Sequence, residues 1–242
     1  MSRAAALIPA RGGSQRVPRK NVRPFLGIPA IQRVINTLQE ADIFDRIVVS
    51  TDDEEIAQLS EASNAEVPGR RPVQLADDHI DTISVVRHAI ETWMNVEELK
   101  TPLWVVYPTG LLLTPVILQA ADGHYREHAP EFLFSVLRYP HPVERRLIMN
   151  PRKRVRSVQP EHSNSRTQDL VAAFYDAGQF YVGSMYSWLR DNPFSSDDAM
   201  GFELPRHSVV DIDEPEDWAH AELLAAAQTS SYWSSRKGVQ QF

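Results

Sequence analysis

The chain contains no cysteine. That absence removes disulfides, thiolate metal sites and a cysteine nucleophile together. No run of about 18 apolar residues occurs, so no membrane-spanning helix and no membrane partner are expected. The start, Met1-Ser2-Arg3 followed by AAALIPA, is too short and too soon broken by Pro9 to read as a secretory signal. A cytoplasmic location is the resulting expectation. A third absence is local: no acidic residue precedes Glu40. Residues 1–39 carry seven Lys/Arg and no Asp/Glu, whereas the rest of the chain carries 18 and 32. The net charge of −7 argues against nucleic acid, which is met by a broad basic face. One basic loop in an acidic protein suits a compact anion such as a nucleoside triphosphate.

What is present reads as one domain spanning 1–242. Its 43% hydrophobic and 24% charged residues are ordinary for a globular chain, and no internal repeat is visible. Apolar runs alternate with segments of helical period, which predicts an α/β fold with a mainly parallel sheet. AAALIP, RIVVST, LWVVYPT, FLFSVLRY and DAGQFYVG read as strands, and SVVDID as a last strand. Ile31, Val34, Ile35 and Leu38 share a helical face. Helices are also expected over DDEEIAQLSEA, over TISVVRHAIETWM, after Thr114-Pro115 and from Pro215 onward. Between Pro140 and Phe174 four prolines and the clusters ERR and RKRVR break the pattern, so 140–174 reads as a hairpin arm outside the sheet.

The stretch ALIPARGGSQRVPRKN, Ala6 to Asn21, places a Gly-Gly turn directly after the first strand. Such a turn exposes backbone N–H groups that can surround phosphate oxygens. Neither the G-x-x-x-x-G-K-[ST] nor the G-x-G-x-x-G pattern is present, so the P-loop and the dinucleotide fingerprint do not apply, and a nicotinamide oxidoreductase is disfavoured. Arg11, Arg16 and Arg19 can add charge-assisted contacts to a triphosphate. The bland alternative is a solvated basic loop, but the carboxyl end of a first α/β strand is where ligands bind. Asp211 and Asp213 are two apart, which on an extended segment puts both carboxylates on one side, toward a cation such as Mg²⁺. Asp213 could equally cap the helix that follows. Asp52 and Asp53 read as helix caps and stay outside the site.

These motifs resemble the cytidylyltransferases that activate nine-carbon acidic sugars. IPARGGSQRVPRKN resembles their signature. VVSTDDEEIA, RPVQLADD, VYPT, DAGQFYVG and VVDIDEPEDW follow in the family's order over nearly the whole chain. The likeness is greatest to the pseudaminate enzymes, then to those for N-acetylneuraminate. It implies a Rossmann-like three-layer nucleotide-diphospho-sugar transferase fold, CTP and an acidic sugar as substrates, Mg²⁺ as cofactor and a homodimer. It implies that Arg11, Gly12, Gly13, Ser14, Gln15, Arg19 and Asn21 hold the nucleotide, with Arg71 and Thr82 near the cytosine and ribose. Tyr107, Gln179 and Tyr181 would line the sugar pocket, with Arg166 and Gln168 supplied by the arm. Arg11 and Asp211 would be catalytic, and Asp211 with Asp213 would bind the metal. Two positions depart from the pattern. Gln15 stands where relatives carry Lys, which leaves a catalytically weak nucleotide-binding relative as an alternative. Gly110-Leu111 replaces Ser/Ala-Pro beside the pocket. CMP-N-acetylneuraminate or CMP-legionaminate synthesis is the other alternative.

Overall fold

The structure is a computed structural model, and it describes residues 3–14, 16–77, 80–94, 99–190 and 195–229. Strand β1 (Ala4–Pro9) sets the architecture. Ala4, Ala6 and Ile8 enter one apolar cluster and Ala5 and Leu7 another, because successive side chains point to opposite faces. A strand buried on both faces needs a layer on each side, which is why it reads as a continuous apolar run. The basic loop follows and returns through a small ladder of β2 (Pro24–Phe25) and β3 (Ile28–Pro29). Helix α1 (Ala30–Ala41) then buries Ile31, Val34, Ile35 and Leu38, the face expected from the sequence.

The chain continues through β4 (Phe44–Ser50), α2 (Glu54–Ala62) and α3 (Thr82–Trp93) to β5 (Pro102–Val106). Asp53 caps α2 by accepting from the Ile56 N–H, and Asp81 caps α3 through the Ser84 N–H. Thr114 caps α4 (Pro115–His128), with proline in its first turn. After β6 (Phe132–Arg138) the chain leaves the sheet, as the prolines predicted. There β7 (Leu147–Met149) and β8 (Val155–Ser157) pair as a separate antiparallel hairpin. Its loop is closed by Asn150, whose Oδ1 accepts from the N–H groups of Arg152 and Arg154 at 3.0 Å each.

Strand β9 (Phe174–Ser184), α5 (Met185–Arg190), β10 (Ala199–Glu203) and α6 (Pro215–Thr229) complete the chain. The six-stranded sheet has the order β10-β6-β9-β5-β1-β4. Only β9 runs against its neighbours. Helices α1, α4 and α6 bury residues in the cluster on one face, and α3 and α5 in the cluster on the other. The expected three-layer α/β fold is thus observed. One strand assignment is corrected. Val209–Asp213 is extended but pairs with no strand among the described residues, and the last described strand is β10, in a segment not expected to be one. Edge position beside β6 lets Ala199–Glu203 pair although it is short and holds no β-branched residue.

Candidate functional site

Strands β1 and β5 end side by side, and a cleft of about 290 Å³ opens at their carboxyl ends. Arg11, Ser14, Arg16, Lys20 and Asn21 line it from the basic loop. Arg71, Thr82, Tyr107, Thr109 and Asp213 line it from the opposite walls. The fold therefore brings together Arg11, Ser14, Asn21, Arg71, Thr82, Tyr107 and Asp213, residues scattered over two hundred positions of sequence.

Three contacts shape the loop. The buried Asn21 donates through Nδ2 to the Arg11 carbonyl at 2.8 Å, and its own carbonyl accepts from Ile31 at 2.8 Å. Its side-chain Oδ1 is buried without a partner among the described residues, an acceptor available to a ligand. The Gly12 N–H donates to Asp52 Oδ1 at 3.0 Å. A Cβ on Gly12 would sit 2.6 Å from Asp53 Oδ2, so this position needs glycine for close packing as well as for any phosphate. Asp52, read from sequence as a cap, in fact touches the loop. Gly13 has open space around its Cα and is exposed.

The loop's cations divide into two groups. Arg19, at a positive φ of 54°, pairs with Asp53 and Glu55 at the start of α2, and it does not line the cleft. That pairing holds the Asp53 carboxyl below its ordinary range. Arg16 and Lys20 do line the cleft and face the opposite wall. Arg16 pairs with Asp213 at 2.7 Å, and Lys20 donates to the Ile212 carbonyl at 2.7 Å. Burial lowers the Lys20 ammonium, while Asp213 and Asp211 push it back up. Sequence reasoning missed Lys20 as a site residue. The available signal was its place between Arg19 and Asn21 in a loop that must fold back on itself.

Arg71 is 5% exposed, and its guanidinium reaches Ser50 Oγ at 3.0 Å and the Ser50 carbonyl. Burial lowers it to about 10, opposed by Asp52, so it stays cationic at neutral pH. Arg71 is thus anchored on β4 at the wall of the cleft. Thr82 and Tyr107 share a hydrogen bond of 2.8 Å. Tyr181 is buried beneath Tyr107, edge to face at 5.8 Å, and its hydroxyl donates to Asp176 at 2.5 Å. Burial raises both phenols. Gln179 is buried at an irregularity where β9 and β6 change register; its N–H donates to Ser135 Oγ and its Nε2 to the Ala177 carbonyl. Tyr181 and Gln179 thus support Tyr107 from below and do not line this cleft.

Asp211 and Asp213 flank Ile212, which is wholly buried while its neighbours turn outward, so the i, i+2 geometry holds without a strand ladder. Asp213 lines the cleft; Asp211 does not. Asp213 does not cap α6 either. There Asp217 accepts from the N–H groups of Asp213 and Glu214. Surrounding protein and the neighbouring Asp213 charge hold the Asp211 carboxyl above its ordinary range. Two mutually repelling carboxylates fit a hard divalent cation that takes its other ligands from water and phosphate, as Mg²⁺ does. Among the described residues no group of three or more His, Asp or Glu is placed to hold a metal.

Arg166 and Gln168 are exposed on the arm and do not line the cleft of their own chain. Gln15 lies outside the described residues. Gly110 closes a turn onto the Tyr107 carbonyl at 2.9 Å, and a Cβ there would meet Leu113 at 2.8 Å. Leu111, Leu112 and Leu113 are buried, so this departure from the pattern packs the cleft wall into the core.

The profile of the cytidylyltransferase family matches residues 5–97. A pseudaminic acid cytidylyltransferase of Campylobacter jejuni is 36% identical over 90% of this chain and 94% of its own. A CMP-N,N'-diacetyllegionaminic acid synthase of Legionella pneumophila is 28% identical over 92% and 96%. In fold, the chain matches CMP:2-keto-3-deoxy-manno-octonic acid synthetase complexed with CTP, with a TM-score of 0.66 and 17% identity over 94% of this chain and 100% of that one. Together, the basic loop after β1 and this end-to-end likeness make the chain a member of the cytidylyltransferase family, a nucleotidyltransferase.

Proposed function

We propose that this enzyme transfers CMP from CTP to the anomeric hydroxyl of a nine-carbon acidic sugar of the pseudaminate type, with release of pyrophosphate. The observation that carries the reading is the cleft, where Arg11, Arg16, Lys20 and Arg71 converge opposite Asp213. Four cations beside two carboxylates, Asp213 and Asp77, suit a triphosphate with its divalent ion. The likeness to the pseudaminic acid enzyme, higher than to the legionaminic acid one, supports the choice of sugar.

In this reading Arg11, Ser14 and Lys20 bind the phosphates, and Arg16 joins them once it leaves Asp213. Gly13 offers its N–H, whereas the Gly12 N–H must first exchange Asp52 for phosphate. Asn21 Oδ1 accepts from a ribose hydroxyl, and Arg71 with Thr82 fixes the nucleoside. Asp211 and Asp213 would hold magnesium, which supplies positive charge at the α-phosphate. The anomeric oxygen forms a bond to the α-phosphorus, the bond from that phosphorus to the α–β bridging oxygen breaks, and pyrophosphate leaves with the electron pair. In this reading the hydroxyl proton passes to Asp211, the carboxylate two residues from Asp213, which lines the cleft. Positioning and charge neutralisation supply most of the rate.

The arm is proposed to form a homodimer. A two-stranded hairpin is marginal alone in water, and this one exposes Leu147, Met149 and Val155 at 60% or more. A two-fold partner would cover them and could bring Arg166 to the other subunit's sugar. Because CTP is a cytoplasmic substrate, the enzyme is placed there.

The test is turnover of CTP with pseudaminate, a legionaminate, N-acetylneuraminate and 3-deoxy-octulosonate, read as pyrophosphate. Release with pseudaminate at the highest kcat/KM is expected. Release with none of the four overturns the reading.

A further inference from the structure

A row of three hydroxyls runs from the cleft to a carboxylate outside it. Thr82, the first residue of α3, shares a hydrogen bond of 2.8 Å with the hydroxyl of Tyr107, which follows β5. The Tyr107 hydroxyl in turn hydrogen-bonds that of Tyr181 on β9, the two rings lying edge to face at 5.8 Å. Tyr181 donates to Asp176 Oδ2 at 2.5 Å. The other carboxylate oxygen, Oδ1, accepts from the Gly178 N–H at 2.9 Å, in a turn that gives Gly178 a φ of 60°. Thr82 and Tyr107 line the cleft, whereas Tyr181 and Asp176 do not.

Each hydroxyl has one hydrogen to give, so the last bond of the row sets the direction of the others. Tyr181 gives its hydrogen to Asp176 and can only accept from Tyr107. Tyr107 then gives its own to Tyr181 and accepts from Thr82. The Thr82 hydrogen is thereby spent inside the row, and its oxygen is left to the cleft as an acceptor. Burial raises both phenols, so their hydrogens are in place at neutral pH. Arg71 lines the same cleft with the opposite polarity, since a guanidinium only donates. Cytosine carries an amino donor at its 4-position, where uracil carries a carbonyl acceptor. Arg71 suits the ring acceptors of cytosine and Thr82 its amino group; uracil would set a carbonyl oxygen against the Thr82 oxygen.

We propose that Asp176 is a positioning residue that makes the nucleotide site selective for cytosine: through Tyr181 and Tyr107 it holds the Thr82 hydroxyl as an acceptor for the amino group of the base. The inference rests on the nucleotide reading of the cleft given above and adds what selects CTP against UTP. Asp176→Asn turns the row round with no change of size. The Gly178 N–H keeps the amide carbonyl oxygen in the place of Oδ1, which puts the NH2 group where Oδ2 met Tyr181. Tyr181 then accepts from it and donates to Tyr107, Tyr107 donates to Thr82, and Thr82 donates into the cleft. The lost charge acts on both triphosphates alike, so the ratio of their affinities reports the polarity.

The experiment is titration calorimetry of CTP and of UTP, with magnesium and without sugar, on wild type, Asp176→Asn, Tyr107→Phe and the double variant. With no acceptor present, the result is independent of which acid the enzyme uses. Wild type should prefer CTP, and Asp176→Asn should lower the preference about tenfold, or about 1.4 kcal/mol. Tyr107→Phe cuts the row, so adding Asp176→Asn to it should change the preference less than twofold; independent structural effects would instead add. Melting curves establish which variants fold, and Tyr181→Phe, which cuts the row one link further on, stands in for one that does not. An undiminished preference in the folded variants, or an equal effect of Asp176→Asn with and without the Tyr107 hydroxyl, overturns the relay alone. So does a wild type that binds both triphosphates equally. A wild type that binds neither overturns the nucleotide reading and this inference with it.

Discussion

Lys20→Met gives the most direct test of the cleft. The substitution keeps the length of the stem and removes the ammonium that lies between the loop and the Asp211–Asp213 segment. One unit charge about 4 Å from a phosphate oxygen is worth roughly 4 kcal/mol at an effective dielectric of about 20. Part of that is already spent on Asp213 and Asp211, so the net loss is that of one charge-assisted hydrogen bond, about 1.5–3 kcal/mol. At about 1.4 kcal/mol per tenfold, CTP affinity should fall roughly ten- to hundredfold. Burial lowers the Lys20 ammonium in the free enzyme. The folded value therefore lies below the unfolded one, and the cost of burying the charge is present at lower pH and relieved as pH rises through the folded value. Phosphates arriving beside it raise its proton affinity, so CTP binding at alkaline pH should take up protons. Titration calorimetry in buffers of different ionisation heat reads both quantities. Wild type should show proton uptake that Lys20→Met lacks. Wild-type CTP affinity in Lys20→Met would refute the assignment of this lysine to the phosphates.

Asp211→Asn should abolish turnover by orders of magnitude yet raise the melting temperature of the ligand-free enzyme slightly. The folded carboxyl is held above its unfolded value, so its favourable contribution is present at acid pH and lost as pH rises through the folded value; the variant's advantage should shrink on acidification, and a destabilised variant contradicts the argument. Gln15→Lys adds a cation to the loop, worth about 1–3 kcal/mol in a charge-assisted contact, and should lower KM for CTP or raise kcat. No change, or a slower enzyme, means the loop is arranged differently from that of its relatives. Asp211→Asn and Arg166→Ala, each inactive alone, should recover part of the activity when mixed and allowed to exchange subunits. A monomer by light scattering, or no recovery after demonstrated exchange, removes the arm from the shared site.

Much of this was legible before the fold. The run AAALIP reads as a buried strand and Thr114-Pro115 as the start of a helix, because both signals are local. The hairpin arm was legible by exclusion, since its prolines fit neither helix nor ladder. The misses are non-local. SVVDID has strand composition, but Ile212 is drawn into the core, and its carbonyl and the Asp213 N–H are taken by the side chains of Lys20 and Asp217 and not by a strand among the described residues. Ala199–Glu203 has little strand character and pairs only because β6 offers a free edge. Lys20 and Arg19 are adjacent and chemically alike in sequence. A left-handed backbone at Arg19 sends one cation to α2 and the other into the cleft, and no spacing rule anticipates that choice.

That division of cations bears on how the nucleotide enters. Without ligand, the basic stretch is not a bare positive loop. Arg19 is held by Asp53 and Glu55, the Gly12 N–H by Asp52, and Arg16 by Asp213. The acidic helix start that follows β4 therefore acts as a template that keeps like charges in one loop without mutual repulsion opening it. Binding a triphosphate is then an exchange of anions. Arg19 can stay with its carboxylates and hold the loop's shape, while the Gly12 N–H and Arg16 must release theirs. Asp213 has two rival partners, Arg16 and the proposed cation. A triphosphate that draws Arg16 away frees Asp213 for the metal, and a metal on Asp213 frees Arg16 for the phosphates. Nucleotide and cation should for that reason bind more tightly together than apart, with the coupling residing in one ion pair 2.7 Å long.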